Sequence, residues 1–128
     1  MHRTIFIFRI ILRDDALLVD MYQAAKQIAA FKAGIDFEKF KSDAKTQSAV
    51  IHQFLVIGEV AKLLSDQFKK ANTSIPWSAM ARMRDKLIHH YRGVDLQEIW
   101  RAADAEIPKL IEFLRNCVPP TALDDRHS

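Results

Sequence analysis

Only 3 glycines and 4 prolines punctuate the 128 residues of this chain. A sandwich, a barrel or a doubly wound sheet needs a turn every ten residues or so, and turns of that density draw on glycine and proline. Long uninterrupted stretches with apolar residues at three- and four-residue steps point to helices instead. Some 49% of the residues are hydrophobic and 27% charged. That is enough apolar material for a packed core, and 14.7 kDa is the size of one domain.

Four helical blocks follow from the pattern. The first begins at Asp14/Asp15, read as N-caps, runs through Leu17, Leu18, Met21, Ala25 and Ile28 to about Phe31, and stops at Gly34. The second runs from Ser42/Asp43 to about Lys70, with Val50, Phe54, Ile57, Ala61, Leu64 and Phe68 as its stripe. Asn72-Thr73-Ser74 breaks it, and Pro76 opens a third helix covering Trp77 to Tyr91, which Gly93 ends. The fourth opens on Asp95-Leu96-Gln97-Glu98, a capping-box pattern with Asp as the cap, and its apolar face continues to Leu114. Pro108 is expected to kink it and Pro119-Pro120 to stop it. Short connections between four helices imply an all-α, antiparallel four-helix bundle. The corresponding division is an N-terminal extension at 1–13, one helical domain at 14–118 and a flexible tail at 119–128.

The termini and the charge narrow the setting. Residues 5–12 form an apolar run broken by Arg9, too short to span a bilayer and without a small-residue cleavage site after it. The segment reads as a β-prone or irregular extension packed on the domain, or as the product of an upstream start codon. Lys plus Arg exceed Asp plus Glu by 3, a mild basic excess compatible with a nucleic-acid partner but no demonstration of one. A lone Cys117 excludes an intramolecular disulfide and any zinc site built on cysteine pairs. It fits a reducing compartment, so a cytoplasmic protein with no membrane partner is expected.

Chemistry concentrates in the third helix. On a wheel of about 100° per residue, Trp77, Met80, Ala81, Leu87, Ile88 and Tyr91 all fall within about 60° of Arg84. An arginine in the middle of an apolar face must snorkel, meet a buried acid, or face a cleft or interface where an anion can sit. Glu59 on the second helix is a candidate acidic partner, or else a solvated residue beside Lys62. Arg82, Asp85, Lys86 and His89 make a separate polar stripe. His89 lies about 140° around from Arg84 and about 7.5 Å along the axis, so one helix alone does not pair them, whereas two facing helices can.

The same residues admit plainer roles. Histidines in a last turn complement the helix dipole, and Asp85/His89 is an ordinary i,i+4 pair. Two ligands are too few for a metal, and His52 cannot be placed, so no metal or cofactor is expected. Trp77 and Trp100 read as core anchors, Lys69-Lys70 as a solvated helix end, and Cys117 as inert.

Arg84-x4-His89-x-Tyr91 resembles the R-x4-H-x-Y motif of the HepT family, a branch of the HEPN superfamily. The flanks at 57–65, 75–95 and 99–100 are similar to that family's blocks, and the resemblance spans 14–114. It departs from the common pattern at Asp85, often Asn, and at Ala81, often Gly, and residues 1–12 have no counterpart. The resemblance implies a HEPN-like homodimer with both motifs meeting at a cleft, acting as a metal-independent endoribonuclease and as the toxin of a toxin–antitoxin system. It implies that Arg84 and His89 are the catalytic pair. Asp85, His90 and Glu59 are then possible supporting residues, with His90 a second candidate base. It also implies that Tyr91 accepts AMP from an MNT nucleotidyltransferase antitoxin, and that RNA is the substrate.

Overall fold

The computed structural model describes residues 2–123, with the side chains of residues 2–8 and of Tyr91 outside that description. Every regular element among the described residues is helical. The seven α-helices are α1 (His2–Lys32), α2 (Phe37–Ser42), α3 (Ala44–Leu63), α4 (Asp66–Ala71), α5 (Trp77–His89), α6 (Leu96–Arg101) and α7 (Ile107–Arg115). Tight 3₁₀ turns follow at Tyr91–Gly93 and Pro120–Leu123, and a π-helical turn at Ala102–Glu106 joins α6 to α7.

The core lies where α1, α3 and the α6–α7 segment meet. Leu18, Met21 and Ile28 from α1, Val50 and Ile57 from α3, and Ile99, Leu110 and Leu114 from the last segment are all essentially inaccessible to water. Helix α3 packs against both α1 and α5, and α1 also packs against α7. Burial of this kind contributes about 25 cal/mol per Å² of apolar surface, and it outweighs the local preferences of any one helix. No helix among the described residues is long and apolar enough to cross a membrane.

Several boundaries agree with the sequence pattern. Gly34 ends α1 in a left-handed conformation at φ 77°, which glycine adopts without strain. Asp95 caps α6, its Oδ1 accepting from the backbone N–H groups of Gln97 at 3.0 Å and Glu98 at 3.2 Å. The reciprocal half of a capping box is absent, because Glu98 turns away to pair with Lys86 of α5 at 2.9 Å.

Others differ. Residues 2–12 are neither β-like nor irregular: α1 begins at His2 and passes through Asp14 and Asp15 without a break. No glycine or proline interrupts the chain there, so the helix simply continues. Asp14 does not cap α1. It is the one buried charged residue among the described residues, and both its oxygens face α4. Ser65 donates its backbone N–H to Asp14 Oδ1 at 3.0 Å and its hydroxyl to Oδ2 at 2.6 Å. Ser65 Oγ in turn accepts from Phe68 N–H at 3.1 Å, so α4 is capped by a serine that is itself held from α1. This tie divides the expected helix of 43–70 into α3 and α4, with Leu64 and Ser65 extended between them.

The short α2 was not foreseen. Asp36 caps it, and its buried Phe40 lies against Trp100 with ring centroids 5.2 Å apart. Helix α5 stops at His89, and Tyr91 begins a 3₁₀ turn. Pro108 does not sit in an unbroken α-helix. The wide turn at Ala102–Glu106 precedes it and leaves the proline in the first turn of α7, where its missing N–H is harmless. Helix α7 ends at Arg115, before the two prolines, and of the expected tail residues 124–128 lie outside the described residues.

Replacing Asp14 by Ala leaves the Ser65 N–H without its acceptor at a buried site. The expected loss is about 1–3 kcal/mol in urea unfolding, with faster amide exchange at Ser65 and Phe68. Unchanged exchange at those two amides would remove Asp14 from the capping of α4.

Candidate active site

The site is built where α3 and α5 touch. Gly58 is buried in the middle of α3, and a Cβ placed on it would overlap Arg84 Cβ and come within 2.9 Å of the Met80 carbonyl oxygen. Glycine in a helix interior is unfavourable by roughly 1 kcal/mol relative to alanine. Here it permits the backbones to approach until the stem of Arg84 lies directly on α3. The next residue, Glu59, then meets the head of that arginine.

Four charges assemble there. Arg84 Nε lies 2.9 Å from Glu59 Oε2, and Arg84 Nη1 lies 2.9 Å from Asp85 Oδ1. Lys62 Nζ reaches the same Asp85 oxygen at 3.1 Å. Arg84 is 26% exposed while Glu59 is 46% exposed, so the carboxylate meets the arginine at the surface and not in the core. Hydrogen bonds from Arg84, then from Lys62, hold the Asp85 carboxyl below its ordinary value. The Asp85 pairs are therefore intact at neutral pH and loosen only as the pH falls through that lowered value.

Of the alternatives open to Arg84, the structure shows both an acidic partner and an open cleft. Arg84 and Glu59 border a shallow depression of about 470 Å³ whose walls include Leu17, Leu55, Leu63 and Ile88. Leu63 and Ile88 are large apolar side chains left 39% and 47% exposed. The wheel had placed Ile88 with the apolar arc, but only Trp77 and Leu87 of α5 are buried. His52, which the sequence could not place, lines this same depression.

His89 and His90 lie elsewhere. Both are exposed at the end of α5, where they line an open basin of about 660 Å³ together with Lys86, Ile88, Arg92 and Gly93. Ile88 borders the basin and the Arg84 depression alike. Within one chain no hydrogen bond or ion pair joins Arg84 to either histidine among the described residues. The Tyr91 side chain is outside the description. The wheel angle between Tyr91 and Arg84 assumed a helix that in fact stops at His89.

The remaining candidates take structural places. Trp77 is buried and donates its indole N–H to the Asn72 carbonyl at 2.9 Å. Trp100 sits between Phe40 and the Lys32 ammonium, which lies 5.0 Å from its ring. Lys69 is no solvated helix end: its ammonium donates to the Ala61 carbonyl of α3 at 3.0 Å. Burial pushes the Cys117 thiol up, away from the reactive thiolate. No group of three metal-ligating side chains gathers among the described residues. The residue missed from sequence is Gly58, while Lys62 and His52 were noted there without a place at this site. A glycine in the middle of the most apolar helix was the available signal.

Gly58→Ala gains helix propensity but forces a methyl into the Arg84 stem. Overpacking dominates, and a net loss of about 1–3 kcal/mol is expected in chemical denaturation. A variant as stable as the parent would show that α3 and α5 need no such approach.

Comparison with known proteins places this geometry in a family. The model of the HepT-like family, described as ribonuclease HepT-like, matches residues 21–117. The chain is 46% identical over 93 residues to a Thermococcus cleftensis protein named "Probable ribonuclease HepT", covering 73% of this chain and 84% of that one. It is 37% identical over 113 residues to "Putative RNase MJ0127" of Methanocaldococcus jannaschii, covering 88% and 93% of the two chains. A third relative, "Putative RNase TTE0752" of Caldanaerobacter subterraneus, is 42% identical over 77 residues, 60% of this chain and 69% of its own. No solved structure matches at a significant level. With the matched region running from α1 to the end of α7 and taking in Gly58, Glu59 and all of α5, the chain belongs to the HepT-like ribonuclease family.

Proposed function

We propose that the protein is an endoribonuclease toxin that cleaves RNA without a metal ion. It works as a symmetric homodimer of antiparallel four-helix HEPN-type bundles. The observation that carries this reading is the family match running through Arg84-x4-His89-x-Tyr91, on a helix whose end presents two exposed imidazoles beside Lys86 and Arg92. Relatives named as ribonucleases support it. The exposed Leu63 and Ile88 beside Arg84 supply an apolar surface for a second copy, which brings a second motif to the gap that separates Arg84 from His89 in one chain.

The chemistry follows from the residue types. RNA carries its own nucleophile: the 2′-hydroxyl attacks the adjacent phosphorus, the bond to the 5′-oxygen breaks, and a 2′,3′-cyclic phosphate and a 5′-hydroxyl result. A histidine with a pKa near neutrality takes the proton from the 2′-oxygen or returns one to the leaving 5′-oxygen. His89 takes that role, with His90 beside it as the second candidate. Arg84 offers a permanently charged fork to the non-bridging oxygens as charge builds on them. Asp85, paired to both Arg84 and Lys62, keeps the guanidinium oriented. The Tyr91 phenolic oxygen attacks the α-phosphorus of ATP held by an MNT nucleotidyltransferase, the bond to the β-phosphate breaks and pyrophosphate leaves. The added negative charge two residues beyond His89 excludes substrate phosphate.

A second reading is favoured by one observation. Arg84 is engaged by two carboxylates inside its own chain, as expected of a structural arginine in a catalytically silent dimer that scaffolds a nucleotidyltransferase complex. Cleavage assays in EDTA separate the two. The wild type is expected to cut RNA to 5′-hydroxyl products, and Arg84→Ala and His89→Ala to lose at least about 10²-fold in rate. His90→Ala, assayed alongside, identifies which imidazole is used. Tyr91→Phe is expected to remain active and to gain no AMP mass when incubated with an MNT nucleotidyltransferase and ATP. Absence of cleavage by the wild type would establish the scaffolding role instead, and wild-type rates in both alanine variants would remove Arg84 and His89 from the chemistry.

A further inference from the structure

We propose that Glu59 is a resident competitor for substrate phosphate: its carboxylate occupies Arg84 until RNA displaces it, setting the affinity of the site without entering the chemistry. This inference rests on Arg84 being the phosphate-binding group.

The placement of Glu59 follows from the backbone. Gly58 brings α3 onto the stem of Arg84, so the residue after it is delivered to the guanidinium, and Nε meets Oε2 at 2.9 Å. A phosphodiester would use the same N–H groups, because carboxylate and phosphate present the same acceptor spacing to an arginine fork.

Charge makes the occupancy consequential. Lys62, Asp85, Arg84 and Glu59 form a chain of alternating charge, each touching the next. The cluster is neutral, so Arg84 offers an arriving phosphate no net attraction while Glu59 is seated. The two carboxylates are not equivalent. Asp85 is the chain neighbour of Arg84 and is also bound by Lys62, two cations holding one carboxyl. Glu59 contacts Arg84 alone among these cations, is half-exposed, and borders the open depression. Glu59 is therefore the partner that leaves, since a partly exposed ion pair is weak and readily exchanged. Asp85 stays and keeps the arginine aimed.

The test uses the full-length chain. Glu59→Gln keeps the shape and removes the charge. Glu38→Gln, on the exposed side of α2, makes the same change in net charge far from the cluster. Binding of an all-2′-deoxy oligonucleotide is followed by anisotropy over a range of salt, and cleavage of the matching oligoribonucleotide gives KM and kcat. Glu59→Gln is expected to tighten binding and lower KM about threefold or more, with kcat within about twofold of wild type. Glu38→Gln should do neither, and the gain should vanish in the Glu59→Gln/Arg84→Ala double variant. Unchanged or weaker binding by a folded Glu59→Gln overturns the inference, as does equal tightening by Glu38→Gln.

A measurement on the wild type guards against a variant that fails to fold. Titration with inorganic phosphate should move the Arg84 Nε–H and Glu59 carboxyl NMR signals with one midpoint. Movement of the arginine signal without the glutamate signal would sink the proposal. If Arg84→Ala neither weakens oligonucleotide binding nor slows cleavage, the functional reading itself falls. If Arg84→Ala does both while Glu59→Gln changes nothing, only this inference falls.

Discussion

The site depends on one close approach, the backbone of α3 at Gly58 against the stem of Arg84. Any side chain on residue 58 would hold the two helices apart, and the arginine would then have to bridge water to reach Glu59. Without that side chain, a long and flexible cation is gripped at its base, and only its head remains to be oriented by ion pairs. Exposed ion pairs contribute little to stability, about 1 kcal/mol at most, so Glu59 and Asp85 act on direction more than on folding energy. Stability comes from the apolar contacts of α1, α3 and α7, where Met21, Ile28 and Leu114 are fully enclosed.

The end of α5 is the other half of the arrangement. The helix stops at His89, and the chain tightens into a 3₁₀ turn before Gly93. The last carbonyls of a helix carry partial negative charge, which attracts cationic side chains. Lys86 lines the same basin as the histidines and is held by Glu98, whose hydrogen bond raises the lysine pKa and ties α5 to α6. The histidines and Arg92 share that open basin, while Arg84 faces a separate depression across Ile88. One chain places the histidines and Arg84 at separate depressions with Ile88 common to both.

Much of this was legible in residue patterns, and what was not has a common cause. Caps made within a few residues, such as Asp95 over α6 and Gly34 after α1, show in the sequence because their partners are local. The Arg84–Glu59 pair was foreseeable as chemistry, since an arginine on an apolar stripe demands an acid, but its half-exposed position was not. The break at Leu64–Ser65 was invisible, because the carboxylate that sustains it belongs to Asp14, 51 residues earlier. For the same reason Asp14 was mistaken for a cap of its own helix. Gly58 was present to be noticed, yet the cost of a mid-helix glycine says only that something comes close, never what.

The wide turn at Ala102–Glu106 does more than spare Pro108. Ile99, Ala103 and Ile107 are each buried, one before the turn, one inside it and one just past it. Steps of four residues drift by about 40° per turn in a regular α-helix, and two such steps would carry the third residue well around the axis. A turn that takes in an additional residue cancels that drift, and the apolar line of α6 is handed to α7 without rotation. The segment therefore behaves as a phase corrector. Deleting one residue there would leave Ile99 and Ile107 seven steps apart, about 20° short of two full turns, so a regular α-helix would then carry the same apolar line.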